Sequence, residues 1–177
     1  MARMLMPSPI IYDPSSLAFV ALGSNLGDSA KILHEAMVRL QKFSDVLNLK
    51  SSLWQTPPVD CPPSSPNFLN AVVGLTPRAG ETPESLLKKL QELQKEFGRA
   101  PKRVLNEPRP LDLDLIAFGN EIRSSSDLIL PHPRAHLRRF VLQPLSEIAP
   151  DLILPGQGKT VAQLLAGLPS NETVTRL

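Results

Sequence analysis

The chain has 177 residues, 42% apolar and 20% charged, with a net charge of +2. That balance builds one domain around one core, excludes a disordered or collagen-like chain, and gives no reason to expect nucleic acid or a membrane surface as partner. The one cysteine, Cys61, excludes an intrachain disulfide framework and reads as a loop thiol in a reducing compartment rather than a nucleophile.

Residues 1–16 are rich in Met, Pro and Ser and are expected to form a flexible extension, with 17–177 as a single domain. The N-terminus lacks the apolar core and cleavage site of a secretory signal, and no run of about 18 apolar residues occurs, so a cytoplasmic location is expected. Leu17-Ala-Phe-Val-Ala-Leu22 reads as a buried strand. Gly23-Ser-Asn-Leu-Gly-Asp28 follows, a cluster of turn residues that reads equally as a tight turn or as a place where free amides hold an anion. Apolar positions at helical spacing (Ile32, Leu33, Ala36, Met37, Leu40) predict a helix from Ser29 to about Phe43, capped by Asp28 or Ser29.

Val46 to Gln55 reads as a strand. The prolines of Thr56–Pro66 forbid regular structure there, and Phe68 to Leu75 reads as the partner strand. Thr82-Pro83-Glu84 is a helix start, with Leu86, Leu87, Leu90, Leu93 and Phe97 as its stripe and Gly98 as its stop. A basic loop spans Arg99 to Pro110, and Leu111 to Phe118 is the fourth strand. The β-α-β-β-α-β order predicts an α+β, ferredoxin-like fold: an antiparallel sheet flanked by helices, two of them on one face. A C-terminal αβα extension should follow, with a helix near Arg138–Ile148, a strand at Leu152–Leu154 and a helix from Thr160. Gly156-Gln-Gly-Lys-Thr160 ends like a phosphate-binding loop, but the glycine such a loop needs six places before the lysine is Ile153. Thr160 capping a helix with Gln163 is the better account.

Pro108-Arg-Pro-Leu-Asp-Leu-Asp114 is the most informative stretch. On a strand, Leu111, Leu113 and Leu115 share one face and Asp112 and Asp114 the other, their Cα atoms about 6.5–7 Å apart. Such carboxylates repel unless a cation sits between them. Oxygen ligands suit Mg²⁺, which takes one or two carboxylates plus phosphates and waters. A bare Asp-x-Asp more often marks a solvated face. Here Arg99, Lys102, Arg103 and Arg109 stand just upstream, and arginine forks match phosphate oxygens. Acids for metal beside arginines for phosphate is the layout that phosphoryl transfer needs.

Together with Ala21–Asp28, Gln55-Thr-Pro-Pro58, Asn67-Phe-Leu-Asn-Ala71, Phe97-Gly-Arg99, Leu130-Pro-His132 and Pro144–Pro150, this stretch resembles the 6-hydroxymethyl-7,8-dihydropterin pyrophosphokinases. The resemblance implies a single-chain enzyme of folate biosynthesis, acting as a monomer, that moves diphosphate from ATP to the pterin with two Mg²⁺ ions. It implies that Asp112 and Asp114 hold the metal, and that Arg99, Arg109, Leu115, His132 and Arg138 contact ATP. Phe68 and Phe140 would sandwich the pterin, with Thr56, Pro57, Val59, Asn70 and Asp112 around its edge. Without the resemblance, Phe68 and Phe140 read as core residues and Asn70 as a strand-end hydrogen-bonder. Asn106, Glu107, Gln94 and Pro133 depart from the residues usual in the family. The other readings are a transferase acting on a different hydroxylated heterocycle, or a non-catalytic ferredoxin-like module. An RNA-binding module would need an RNP-type aromatic run, which is lacking, and a regulatory module has no use for the paired acids.

Overall fold

The structure is a computed structural model that describes residues 13–46, 49–101 and 103–177. Most of the expected N-terminal extension, two positions of the Val46–Gln55 strand and Lys102 therefore lie outside the described residues. Asp13 accepts from the amide of Ser15 and caps a turn at Pro14–Ser16 that leads into the sheet.

The elements are β1 (Ala18–Ser24), α1 (Ser29–Gln41), β2 (Leu49–Lys50), β3 (Trp54–Thr56), β4 (Phe68–Leu75), α2 (Pro83–Glu96), β5 (Asp112–Phe118), β6 (Arg123–Ser124), β7 (Ile129–Leu130), α3 (Arg139–Ile148), α4 (Val161–Ala166) and β8 (Thr175–Arg176). The main sheet is antiparallel in the order β5-β1-β4-β3-β8, with β2 also on β4. This is the ferredoxin-like arrangement, with β1 and β4 in the centre.

Each face is buried by helices. Leu22, Leu113 and Leu115 meet Leu33, Leu40, Leu90 and Leu93 of α1 and α2; each such side chain contributes about 1.5–3 kcal/mol on burial. On the opposite face Phe19, Val72 and Ile116 meet Val141, Leu142 and Leu145 of α3 and Val161 of α4. Phe19 pairs with Ala117 but Val20 with Leu115, so Ile116 is an extra residue in β5. This bulge lets Ile116 and Ala117 both serve the α3 side.

The helix boundaries follow local chemistry. Asp28 accepts from the amide of Lys31 at 3.2 Å. Thr82 and Thr160 each close a capping box, the second with Gln163 as expected. Gly98, at φ +86, ends α2 in a backbone region that other residues enter at a cost.

Two expectations are corrected. The strand between Val46 and Gln55 is broken, because the Ser51 hydroxyl accepts from the amide of Val72 at 2.9 Å where a backbone carbonyl would continue the ladder. The β element of the C-terminal extension is not at Leu152–Leu154. Leu152 and Leu154 are buried against α3 and α4 while Ile153 is 52% exposed, so their strand-like alternation records one-sided packing of a coil. The terminal strand is β8, which pairs with β3. The β6–β7 hairpin gave no recognisable pattern in the sequence.

Candidate active site

Gly23 on β1 pairs with Asn70 on β4 at one side and Asp112 on β5 at the other. A Cβ placed on Gly23 would lie 3.4 Å from Asn70 Oδ1, 3.8 Å from Phe68 and 3.9 Å from Asp112 Cβ. Phe68, Asn70 and Asp112 thus share one face around a bare backbone floor. Asn70 is buried and donates to Thr56 Oγ1 at 2.8 Å. That bond uses an amide proton and leaves Asn70 Oδ1 free to accept. Phe140, in the first turn of α3, packs at the margin of the core on this same face.

Asp112 is ion-paired with Arg99 and lies 3.4 Å from Arg109 Nε. The Arg109 guanidinium stands 5.4 Å from the Phe68 ring centre, and Arg138 stands 5.4 Å from that of Phe140. Among the described residues Asp114 makes no ion pair: burial, and then the Asp112 carboxylate, push it up to about 6. His132 is driven the other way, to about 4, by burial and then by the Arg138 and Arg134 charges. Its Nδ1 accepts from the Arg134 amide at 3.2 Å, so the ring proton of the neutral form sits on Nε2. Burial and the Arg134 charge also lower Arg138. The site therefore holds an acid of raised pKa that faces the Arg138, Arg99 and Arg109 charges.

A cleft of about 260 Å³ adjoins Asp114 and His132, walled by Leu87, Leu115, Leu128 and Ile129. Leu115 is only 4% exposed and its side chain belongs to the core.

Among the described residues no group of three or more His, Cys, Asp or Glu gathers at one point. That excludes a closed all-protein cage there, but two strand carboxylates fit Mg²⁺, which retains waters and completes its shell with phosphate.

Pro57 and Val59 are exposed on the loop beyond β3. That loop is tied to the basic loop: Asn106 donates to the Asp60 carbonyl at 2.8 Å, with both residues at positive φ.

Two supporting residues escaped the sequence reading. Asn25 is buried and braces the Arg109 backbone: its Oδ1 accepts from the Arg109 amide at 2.9 Å, and its amide donates to the Arg109 carbonyl at 3.1 Å. Within Gly23–Asp28 the Asn25 backbone amide is thereby occupied. Gln94 on α2 accepts from Arg99 at 2.6 Å and from the amide of Leu113 at 2.9 Å, holding an arginine and the acid-bearing strand together. The neutral side chain noted as a departure was the only signal of it.

A ferredoxin-like α+β domain with paired acids and ringing arginines on one sheet face is the class defined so far. The chain belongs to the 7,8-dihydro-6-hydroxymethylpterin-pyrophosphokinase family, whose model matches residues 19–150. It is 40% identical over 139 residues to the 2-amino-4-hydroxy-6-hydroxymethyldihydropteridine pyrophosphokinase of Haemophilus influenzae, covering 78% of this chain and 84% of that one. The protein of the same name from Synechocystis is 37% identical over 148 residues, 84% of this chain and 74% of its own. A solved HPPK-DHPS structure in complex with substrates has a TM-score of 0.66 at 13% identity, over 85% of this chain and 42% of its own. At that identity it shows the fold, and this chain spans under half of that longer protein. Among the described residues, no helix is long and apolar enough to cross a membrane.

Proposed function

We propose that this chain transfers diphosphate from ATP to the hydroxymethyl group of 6-hydroxymethyl-7,8-dihydropterin, releasing AMP, as a step of folate biosynthesis. The observation that carries this reading is the row Asn70–Gly23–Asp112, which joins an amide suited to a pterin edge to an acid suited to a polyphosphate. Phe68 and Phe140 hold the flat ring, adding about 0.5–1.5 kcal/mol each beyond burial. Thr56 fixes the Asn70 amide, and Pro57 and Val59 close over the ring edge with their loop. The ATP base occupies the cleft beside Leu115.

Asp112 and Asp114 would hold two Mg²⁺ ions, which would supply charge neutralisation and orientation of the triphosphate. Arg99 and Arg109, gathered at Asp112, would contact the phosphate oxygens. His132 donates from Nε2, and Arg138 adds a charge that no ion pair among the described residues consumes. The pterin oxygen forms its bond to the β-phosphorus as the α–β bridging bond breaks, AMP leaves, and the hydroxyl proton passes to solvent. No side chain stands as general base, so alignment and charge supply most of the rate. The residues from 17 to 177 act as one domain, as a cytoplasmic monomer, with no nucleic-acid or membrane partner.

The test is AMP release from ATP and the hydroxymethyl pterin, with Mg²⁺ and with a chelator. Rapid AMP release that needs both metal and this pterin is expected. A preference for a different hydroxylated heterocycle, or magnesium-independent nucleotide binding without turnover, would overturn the reading.

A further inference from the structure

One row of paired residues crosses the whole sheet: Arg176 on β8, Trp54 on β3, Asn70 on β4, Gly23 on β1 and Asp112 on β5. Neighbours in such a row share a face and lie about 4.8 Å apart from strand to strand. Trp54 and Arg176 therefore extend the Asn70–Asp112 floor to the far edge. α3 lies over this face, and its Glu147 gathers that edge. Glu147 accepts from the Ser52 amide at 3.1 Å, the Ser52 hydroxyl at 2.6 Å and Trp54 Nε1 at 3.0 Å. Arg176 lies 3.5 Å from its Oε1 and donates from Nε to Ser52 Oγ at 3.0 Å. The Leu177 amide donates to the Leu53 carbonyl at 3.0 Å, which seats the terminal strand.

Glu147 has Phe140 two turns before it on the same side of α3, about 10.5 Å along the axis. At the other end of the short strand it grips stands Thr56, which orients Asn70. One carboxylate thus links the helix that carries one aromatic to the strand pair that carries the other, together with the amide. Although partial burial pushes Glu147 up, the Ser52 and Trp54 hydrogen bonds hold it below the usual carboxylate range, so it is ionised at neutral pH.

We infer that Glu147 is a positioning residue for the pterin: with Arg176 it fixes α3 against β3 at the separation a flat ring between Phe140 and Phe68 requires. The inference rests on the proposed function. It gives the segment beyond residue 150, outside the family match, a role in the substrate site.

The test compares E147A, E147Q and R176A with the full-length wild type by calorimetry. Binding of a non-hydrolysable ATP analogue with Mg²⁺ is measured first, then binding of 6-hydroxymethyl-7,8-dihydropterin to the nucleotide-saturated protein, with thermal unfolding alongside. Loss of hydrogen bonds to an ionised group should weaken pterin binding of E147A by about tenfold or more while nucleotide affinity stays within about twofold. E147Q, which can still accept from Ser52 or Trp54, should recover most of the loss, and R176A should fall between. A purely structural carboxylate would instead lower the melting temperature with both affinities unchanged or reduced together, and either result overturns the inference. Wild-type protein that binds the nucleotide but not the pterin would overturn the proposed function as well, and so separates the two failures.

Discussion

Asp114→Asn is expected to make the ligand-free protein more stable while abolishing turnover. In the fold Asp114 is raised from 3.8 to about 6, by burial and then by Asp112. A carboxyl raised in this way binds its proton more tightly folded than unfolded. Its effect is absent well below pH 3.8, grows as a loss of stability between there and about 6, and is complete above that. The difference of about 2 in pKa corresponds to about 3 kcal/mol at pH 7 as an upper bound. Asparagine carries no charge at any of these pH values and removes the penalty. In a chain of this size each kcal/mol moves the melting temperature by about 2–4 °C, so a rise of at most about 6–12 °C is expected at pH 7. The gain should shrink toward zero near pH 4, where wild-type Asp114 is protonated in the fold. Paired thermal unfolding of variant and wild type at the two pH values measures it, with AMP release as the activity readout. An unchanged or lower melting temperature at pH 7, or an equal gain at both pH values, would refute the reasoning.

Gly23→Ala should leave the fold intact, because a Cβ there would meet its neighbours at 3.4 to 3.9 Å, ordinary contact distances. It should weaken pterin binding by about tenfold, since the methyl stands on the floor between Asn70 and Asp112; calorimetry on the nucleotide-saturated variant checks this. Thr160→Ala removes the capping box of α4 and should cost about 1 kcal/mol without changing kcat or either KM. Thermal unfolding paired with kinetics would expose any coupling of that helix to the site.

The core of the fold was legible because its signals are local. Apolar spacing marked α1 and α2, and a continuous apolar run marked β4 to the residue, Phe68–Leu75. The alternation of Leu111, Leu113 and Leu115 with Asp112 and Asp114 is borne out on β5, the leucines in the core and the acids on the α3 side. What escaped depends on distant partners. Leu152 and Leu154 alternate like a strand, yet the sheet has no edge for them there. Thr175–Arg176 carry no strand pattern, but β3 offers them a free edge. Asn25 and Gln94 act on backbone groups far away in sequence, so residue type alone could not assign their roles.

β5 is an outer strand of the sheet, the kind of border that can recruit a stray chain. Two of its outward hydrogen-bonding groups are already engaged: the Leu113 amide by Gln94 and the Ile116 carbonyl by the amide of His132 at 2.8 Å. Gln94 by its side chain and His132 by its backbone, both neighbours of the arginine-bearing surface, therefore also cover part of this rim. Loosening Gln94 in pursuit of altered catalysis carries a second hazard, a chain that clumps at high concentration before any loss of turnover is seen.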